Sequence, residues 1–155
     1  MIKTFAAVVL TLASLGAHAM DAGARVEPWT LDDQFDKPYA FSNDVKVLLV
    51  ARSMDAAKVV NAAMEDQPAG YLEARKVVYV ADIAGVPSVG RMIMVPAMKK
   101  ASYRIVLDRE GTVASKYVEQ NDAVTWLQLR DGVLVNQKTY TDPGALRAAL
   151  ERAAD

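Results

Sequence analysis

The chain has 155 residues, and its 18 lysines and arginines nearly balance 19 aspartates and glutamates, for a formal net charge of −1. This balance, without any polybasic stretch, gives no electrostatic basis for binding nucleic acid or an anionic membrane surface. Cysteine is absent, and the single histidine is His18.

The N-terminus has the three parts of a secretory signal. Lys3 supplies a short positive region, Phe5–Leu15 is an apolar run, and Ala17–Ala19 is a small-x-small cleavage site. We therefore expect residues 1–19 to be a signal peptide, and residues 20–155 to form one domain in the periplasm. The apolar run is shorter than the roughly 20 residues of a membrane-spanning helix, so no stable membrane insertion is expected after cleavage. An uncleaved anchor or a buried first helix is the alternative.

Residues 20–155 contain neither cysteine nor histidine. They therefore need no disulfide, although an exported protein could form one. They also lack the commonest general base and metal ligand, which excludes Ser-His and Cys-His nucleophiles and Cys/His zinc sites.

The first half of the chain reads as a hairpin followed by a βαβ unit. Trp29–Leu31 and Tyr39–Phe41 are short extended runs, with Pro38 favouring an edge position. Lys46–Ala51 and Lys76–Ala81 are continuous apolar runs, which is typical of strands covered on both faces.

Between these two strands the sequence predicts a helix. Ser53 or Asp55 is the predicted N-cap, and Pro68 with Gly70 ends the segment. The apolar stripe of this helix has helical spacing and consists of Ala56, Val59, Val60, Ala63 and Met64.

Residues 82–102 are harder to interpret. Met92–Lys100 is a predicted helix, interrupted or bounded by Pro96, and Tyr103–Leu107 is a predicted strand. A turn over Asp108–Gly111 follows, and residues 113–117 fit either a short helix or a strand.

The C-terminal part is clearer. Val124–Leu129 and Val133–Thr139 are predicted strands of a hairpin with an Asp-Gly turn. Asp142 is the predicted N-cap of a final helix, with Pro143 in its first position. Its apolar stripe is Leu146, Ala149, Leu150 and Ala153.

This element order resembles the thioredoxin-like fold, on its thiol-reductase and peroxiredoxin branch. The segments that carry the resemblance are Trp29–Phe41, Tyr103–Ala114 and Val124–Gly132, which are similar to the branch's hairpin, its strand with Asp-x-x-Gly, and its central strand. The exported YtfJ-like family of unknown function is the most similar group. The resemblance implies an α/β fold: a three-layer α/β/α sandwich with a mixed central sheet and an N-terminal β-hairpin.

Two departures argue against the redox activity of that branch. Its reactive cysteine follows the first βαβ strand, where a helix N-terminus stabilises a thiolate. Here that position falls in Ala51–Ala56, which has no thiol. The branch's cis-proline is expected near Asn121–Ala123, which has no proline. The expected protein is therefore neither a thiol-disulfide oxidoreductase nor a thiol peroxidase.

The segment Ala51–Ala56, where the branch would carry its reactive cysteine, is called the vestigial site here. It has two interpretations. Arg52, Ser53 and Asp55, with Asp122 at the missing proline, are candidates for a site that binds a small anion or a peptide. An ordinary N-cap beside a solvated arginine is the simpler alternative.

The methionines are the other candidate site. Met92, Met94 and Met98 could hold Cu(I) through their thioethers. On a helix, however, Met94 and Met98 share a face and Met92 does not, and methionine is an adaptable core or interface residue.

Two classes of function remain. The first is a non-catalytic binding or accessory module for a periplasmic protein, peptide or small ligand, which would use exposed apolar residues of the 89–98 segment. The second is an enzyme that uses carboxylates, arginine or a bound cofactor. Against the enzyme stands the lack of a phosphate loop, because Gly85–Gly90 has too few glycines and a proline where backbone N–H groups would be needed. The first class of function needs no cofactor, and none is expected.

Overall fold

A computed structural model describes residues 20–119 and 121–154 of the chain. The predicted signal peptide, residues 1–19, lies outside the described residues, and its removal stays a prediction.

The described residues form seven strands, four α-helices and one 3₁₀ helix. The strands are β1 (Thr30–Asp32), β2 (Pro38–Ala40), β3 (Val47–Ala51), β4 (Val77–Asp82), β5 (Val106–Asp108), β6 (Val124–Arg130) and β7 (Val133–Tyr140). The helices are α1 (Met54–Ala63), α2 (Tyr71–Ala74), α3 (Ser88–Met98) and α4 (Pro143–Arg152), with the 3₁₀ helix at Ala114–Lys116.

Five strands form a mixed sheet in the order β5-β4-β3-β6-β7. The strands β3, β4 and β5 are parallel, whereas β6 pairs antiparallel with both β3 and β7. All five residues of the central strand β3 are buried, as its unbroken apolar sequence predicts for a strand covered on both faces.

The two faces of the sheet are covered differently. One face packs against the α-helices, with Leu49, Val60 and Leu150 in its core. The other carries Leu48 and Leu127 and is covered by the β1–β2 hairpin, the 3₁₀ helix and the segment around Val26. The hairpin reaches the sheet edge through a bridge between Asp33 and Val106.

Several sequence-based expectations are confirmed. The first βαβ unit is present, with Ser53 as the N-cap of α1. Asp131 and Gly132 both have positive φ (51° and 78°) in the two-residue turn between β6 and β7, which is the geometry favoured by Asp-Gly. Asp142 caps α4 by accepting a hydrogen bond from the Ala145 N–H at 3.1 Å.

Two elements, α3 and β5, differ from their predicted bounds by more than one residue. The helix α3 starts at Ser88 and continues through Pro96. Met92 and Pro96 are both exposed, so the carbonyl four residues before the proline loses its partner on the solvent side.

The strand β5 is shorter than the predicted Tyr103–Leu107. The side chain of Gln34 binds the segment just before it, donating to the Tyr103 carbonyl at 2.8 Å and accepting from the Ile105 N–H at 2.9 Å. Pairing with β4 begins only at Val106.

Candidate functional site

The region that corresponds to the predicted vestigial site lies where β3 and β4 end. Ala51 and Ala81 are partners in the parallel register, so Arg52 and Asp82 lie side by side at this edge of the sheet. Arg52 Nε donates to Asp82 Oδ2 at 2.8 Å, and the two side chains are only 17% and 8% exposed. Such a shielded, charge-assisted hydrogen bond is stronger than a surface ion pair.

Arg52 also holds a third segment. Its Nη1 donates to the Val118 carbonyl at 2.8 Å, and Asp82 Oδ1 accepts from the Ala84 N–H at 2.9 Å. The alternative of a solvated arginine is therefore wrong for Arg52. Its guanidinium is engaged by groups of the protein itself, and Arg52 works mainly as a structural tie between β3, β4 and the loop that follows the 3₁₀ helix.

Ser53 is engaged as well. Its Oγ accepts a hydrogen bond from the Ala56 N–H at 3.0 Å, in the extended N-cap conformation. Asp55 is exposed in the first turn of α1, where its charge interacts favourably with the helix dipole. The hydroxyl of Ser53 has no histidine to activate it, so this helix start holds its own backbone and presents no nucleophile.

Asp122 lies on the loop before β6 and is exposed. Beside it, Asn121 Oδ1 accepts from the Ala123 N–H at 2.9 Å. None of the peptide bonds described by the structure is cis. Arg52 reaches the Val118 end of this loop rather than Asp122, so the structure brings Arg52 and Ser53 together and leaves Asp122 on the surface.

An apolar groove, which we call the α1–α3 groove, begins beside Ser53. Two adjoining cavities of about 270 and 360 Å³ form it. Four side chains line both cavities and so form the neck between them: Met54, Ala57, Met94 and Met98.

The structure separates the three methionines of the sequence-based copper hypothesis. Met94 and Met98 face the groove and pack against the core, whereas Met92 is 76% exposed on the other side of α3. Met54, at the start of α1, lines the same cavity as Met94 and Met98, so the third thioether at the neck of the groove belongs to Met54 and not to Met92.

The side-chain hydrogen bonds that hold α3 lie at its N-terminal end. Arg91 Nε donates to the Val86 carbonyl at 2.8 Å, and its Nη2 donates to the carbonyls of Ala84 and Arg109 at 3.0 and 3.1 Å. None of the residues of α3 is fully buried. Arg91 thus anchors a helix whose remaining contacts are partial.

The side of α3 that points away from the groove is also apolar. We call Val89, Met92 and Ile93 the outer face of α3; they are 72%, 76% and 73% exposed. A helix that is apolar on both sides is typical of one covered on both sides, and apolar surface patches mark interaction sites.

Two tyrosines line the larger of the two cavities that form the α1–α3 groove. The Tyr79 and Tyr103 rings lie 6.3 Å apart, and the Tyr103 hydroxyl donates to Asn61 Oδ1 at 3.1 Å. Burial raises the pKa of both phenols above the ordinary value of 10, and Tyr103 adds to the effect at Tyr79. Both rings therefore stay neutral at physiological pH and give the groove an apolar wall.

Within residues 20–119 and 121–154 there is no group of three or more His, Cys, Asp or Glu side chains placed to hold a metal ion. The same part of the chain contains no helix long and apolar enough to cross a membrane.

Comparison with solved structures gives the fold class. The fold is thioredoxin-like. The peroxidoxin BcpB of Mycobacterium tuberculosis aligns with 88% of this chain and 99% of its own, at a TM-score of 0.57 and 15% identity. A thio-disulfide isomerase of Thermus thermophilus aligns with 86% of this chain and 97% of its own, at 0.54 and 18%.

A peroxiredoxin-like protein of Aquifex aeolicus aligns over 88% of this chain and 89% of its own length, at a TM-score of 0.54 and 10% identity. At such low identities the likeness concerns the fold and carries no activity. No protein-family model matches the sequence, and no curated protein sequence matches it. Because the chain has no cysteine, thiol chemistry by its own residues is excluded.

Sequence reasoning missed Asp82 and Arg91. The signal for Asp82 was available, because it follows the predicted strand Lys76–Ala81 just as Arg52 follows Lys46–Ala51, and parallel strands end at the same edge of a sheet. No such signal marks Arg91, whose partners are all backbone carbonyls.

Proposed function

We propose that this protein is an exported, redox-inactive thioredoxin-like module that binds a periplasmic protein or peptide, as a member of the YtfJ-like group. The observation that supports this proposal best is the outer face of α3. Its three large apolar side chains are each more than 70% exposed, on a helix whose opposite side packs against the core.

The surroundings of Ser53 favour binding over catalysis. The Ser53 hydroxyl is used as a helix cap, and Arg52 is paired with Asp82. Residues 20–155 have no histidine or cysteine, so the usual base and thiol nucleophile are missing. An enzyme using carboxylates, arginine or a bound cofactor would need a reactive group that these contacts leave free.

Export rests on the signal-like sequence of residues 1–19. Expression of the full chain in a Gram-negative host, followed by fractionation and N-terminal sequencing, tests it. The expected product starts at Met20 in the periplasmic fraction, whereas an intact N-terminus in the membrane fraction would support the anchor alternative.

The binding proposal is tested by a photo-crosslinking amino acid at Ile93 in the full-length, exported protein. Val135 on β7 is the matched control, because it is an exposed apolar residue outside α3. A discrete adduct from position 93, absent from position 135 and lost on Met92→Lys, is the expected result. Equal products from both positions would contradict the proposal.

A Cu(I)-binding protein is the second candidate, favoured by the three thioethers at the neck of the groove. Thioethers suit Cu(I), but Arg52, Lys58 and Lys100 also line the groove and disfavour a cation. Competition with a Cu(I) chelator tests it. Binding that is lost on Met94→Leu and kept on Met92→Leu would favour copper over the first candidate.

A further inference from the structure

The α1–α3 groove is built from two matching helical stripes. Met54, Ala57, Lys58 and Asn61 form the stripe of α1. Across the groove, the residues from α3 and the turn after it are Met94, Ala97, Met98 and Ala101. Both sets follow the i, i+3, i+4, i+7 spacing of one helix face, and seven residues of helix span about 10 Å.

Small residues in these stripes leave room between the helices. Ala57, Ala97 and Ala101 contribute only a methyl group each, where a larger side chain would fill the space. The methionines at the neck are flexible and can adjust around an apolar body. Cavities that bind small molecules are mostly apolar and carry a few polar groups that fix orientation, and this groove has that composition.

The charged groups that line the groove are mainly cationic. Lys58 and Lys100 line one cavity, and Arg52 lines the other. The one acidic side chain in either lining is Asp82, which is paired with Arg52. Within the described residues, neither Lys58 nor Lys100 forms an ion pair. The groove is therefore locally positive in a chain whose formal net charge is −1.

We propose that the α1–α3 groove binds a small fatty-acid-like carboxylate: an unbranched alkyl chain of medium length with an anionic end. The alkyl chain lies between the methionines and alanines of the two stripes. The carboxylate lies at the mouth, where the Lys58 and Lys100 ammonium groups meet it. This site is separate from the outer face of α3 and does not depend on the protein-binding proposal.

Isothermal titration of the purified protein with decanoate tests the ligand class, in a low-salt buffer, below the micellar concentration of the charged probes and below the solubility limit of the alcohol. The matched probes are 1-decanol, which lacks the charge, and decyltrimethylammonium, which reverses it. We expect decanoate to bind more tightly than decanol and the cation to bind most weakly. Equal affinity for all three, or no binding of decanoate, would overturn the proposal.

Variants locate the site. Lys58→Gln and Lys100→Gln are each expected to weaken decanoate binding about threefold, because each removes one exposed charge contact, and to leave decanol unchanged. Lys99→Gln is the matched control, since Lys99 is exposed beside Lys100 and does not line the groove. A Lys99 effect equal to that of Lys100 would show only general attraction to surface charge, which contradicts the proposal.

Filling the groove gives an independent measurement. Ala57→Leu is expected to reduce the affinity for decanoate and decanol together. Ala97→Phe does the same at an exposed position, where folding tolerates a larger side chain. Unchanged affinity in a folded Ala97→Phe variant would exclude the groove. Crosslinking at Ile93 reports on the outer face of α3 alone, so failure of either proposal is recognised separately.

Discussion

Arg52 Nε and Asp82 Oδ2 meet at 2.8 Å where the parallel strands β3 and β4 end. The pair is shielded, and Arg52 adds a hydrogen bond to the Val118 carbonyl. The guanidinium of Arg52 is thus used in contacts within the protein.

Removal of one member of this pair should destabilise the protein. For Arg52→Met we expect a loss of about 2 kcal/mol of unfolding free energy, since a shielded carboxylate and a carbonyl lose their donor. Urea denaturation measures it. Arg147→Met is the control, because both the Arg147–Glu151 pair and the hydrogen bond from Arg147 to the Glu65 carbonyl are exposed, and their loss should cost no more than about 0.5 kcal/mol. Equal losses would mean that Arg52 contributes no more than a surface charge.

The buried side chain of Gln34 should be equally important for the sheet edge. Gln34→Leu is expected to cost about 2–4 kcal/mol, because the Tyr103 carbonyl and the Ile105 N–H lose their partners. Denaturant titration checks this, with the exposed Gln128→Leu as control. A loss below that of the control would show that water replaces both contacts.

Introducing a thiol tests whether the N-terminus of α1 can stabilise a thiolate. In Ser53→Cys, the α1 N-terminus should lower the thiol pKa below the usual value of about 8.5. The rate of iodoacetamide alkylation against pH measures it. Ser42→Cys, at an exposed loop position, should titrate near the usual value. The same pKa in both variants would show that the α1 N-terminus has no such effect.

Stability should vary little between pH 6 and 9 and fall in alkali. Residues 20–155 have no histidine or cysteine, and the side chains that titrate there are of those types. Burial raises the pKa of Tyr79 and Tyr103 and raises that of Tyr117 to about 12.

The folded state therefore keeps protons that the unfolded chain loses above pH 10. The stability contributed by these neutral phenols is complete below pH 10, and it is lost as the pH rises from 10 through the folded-state values. Thermal unfolding followed by circular dichroism from pH 6 to 12 measures it. A marked change between pH 6 and 9 would point to another titrating group.

The architecture was largely predictable because its signals are local. A few neighbouring residues are enough to predict the buried strand β3, the Ser53 cap and the Asp131–Gly132 turn. The start of β5 was not predictable, because it depends on Gln34, some 70 positions away in the chain. The site was only partly predictable. Arg52 and Ser53 were found by position, and the same reasoning would have found Asp82, whereas the approach of Met54 to Met94 depends on tertiary packing.

The anchoring of α3 at its Arg91 end has a dynamic consequence. No residue of α3 is fully buried, so separation of its C-terminal turns from α1 breaks only the partial core contacts of Met94, Val95 and Met98 and leaves the five-stranded sheet intact. The amides of those turns should then exchange with solvent through local opening, well before the amides of β3. A guest molecule could therefore enter between the two helices on the timescale of a local fluctuation, without waiting for the protein to unfold.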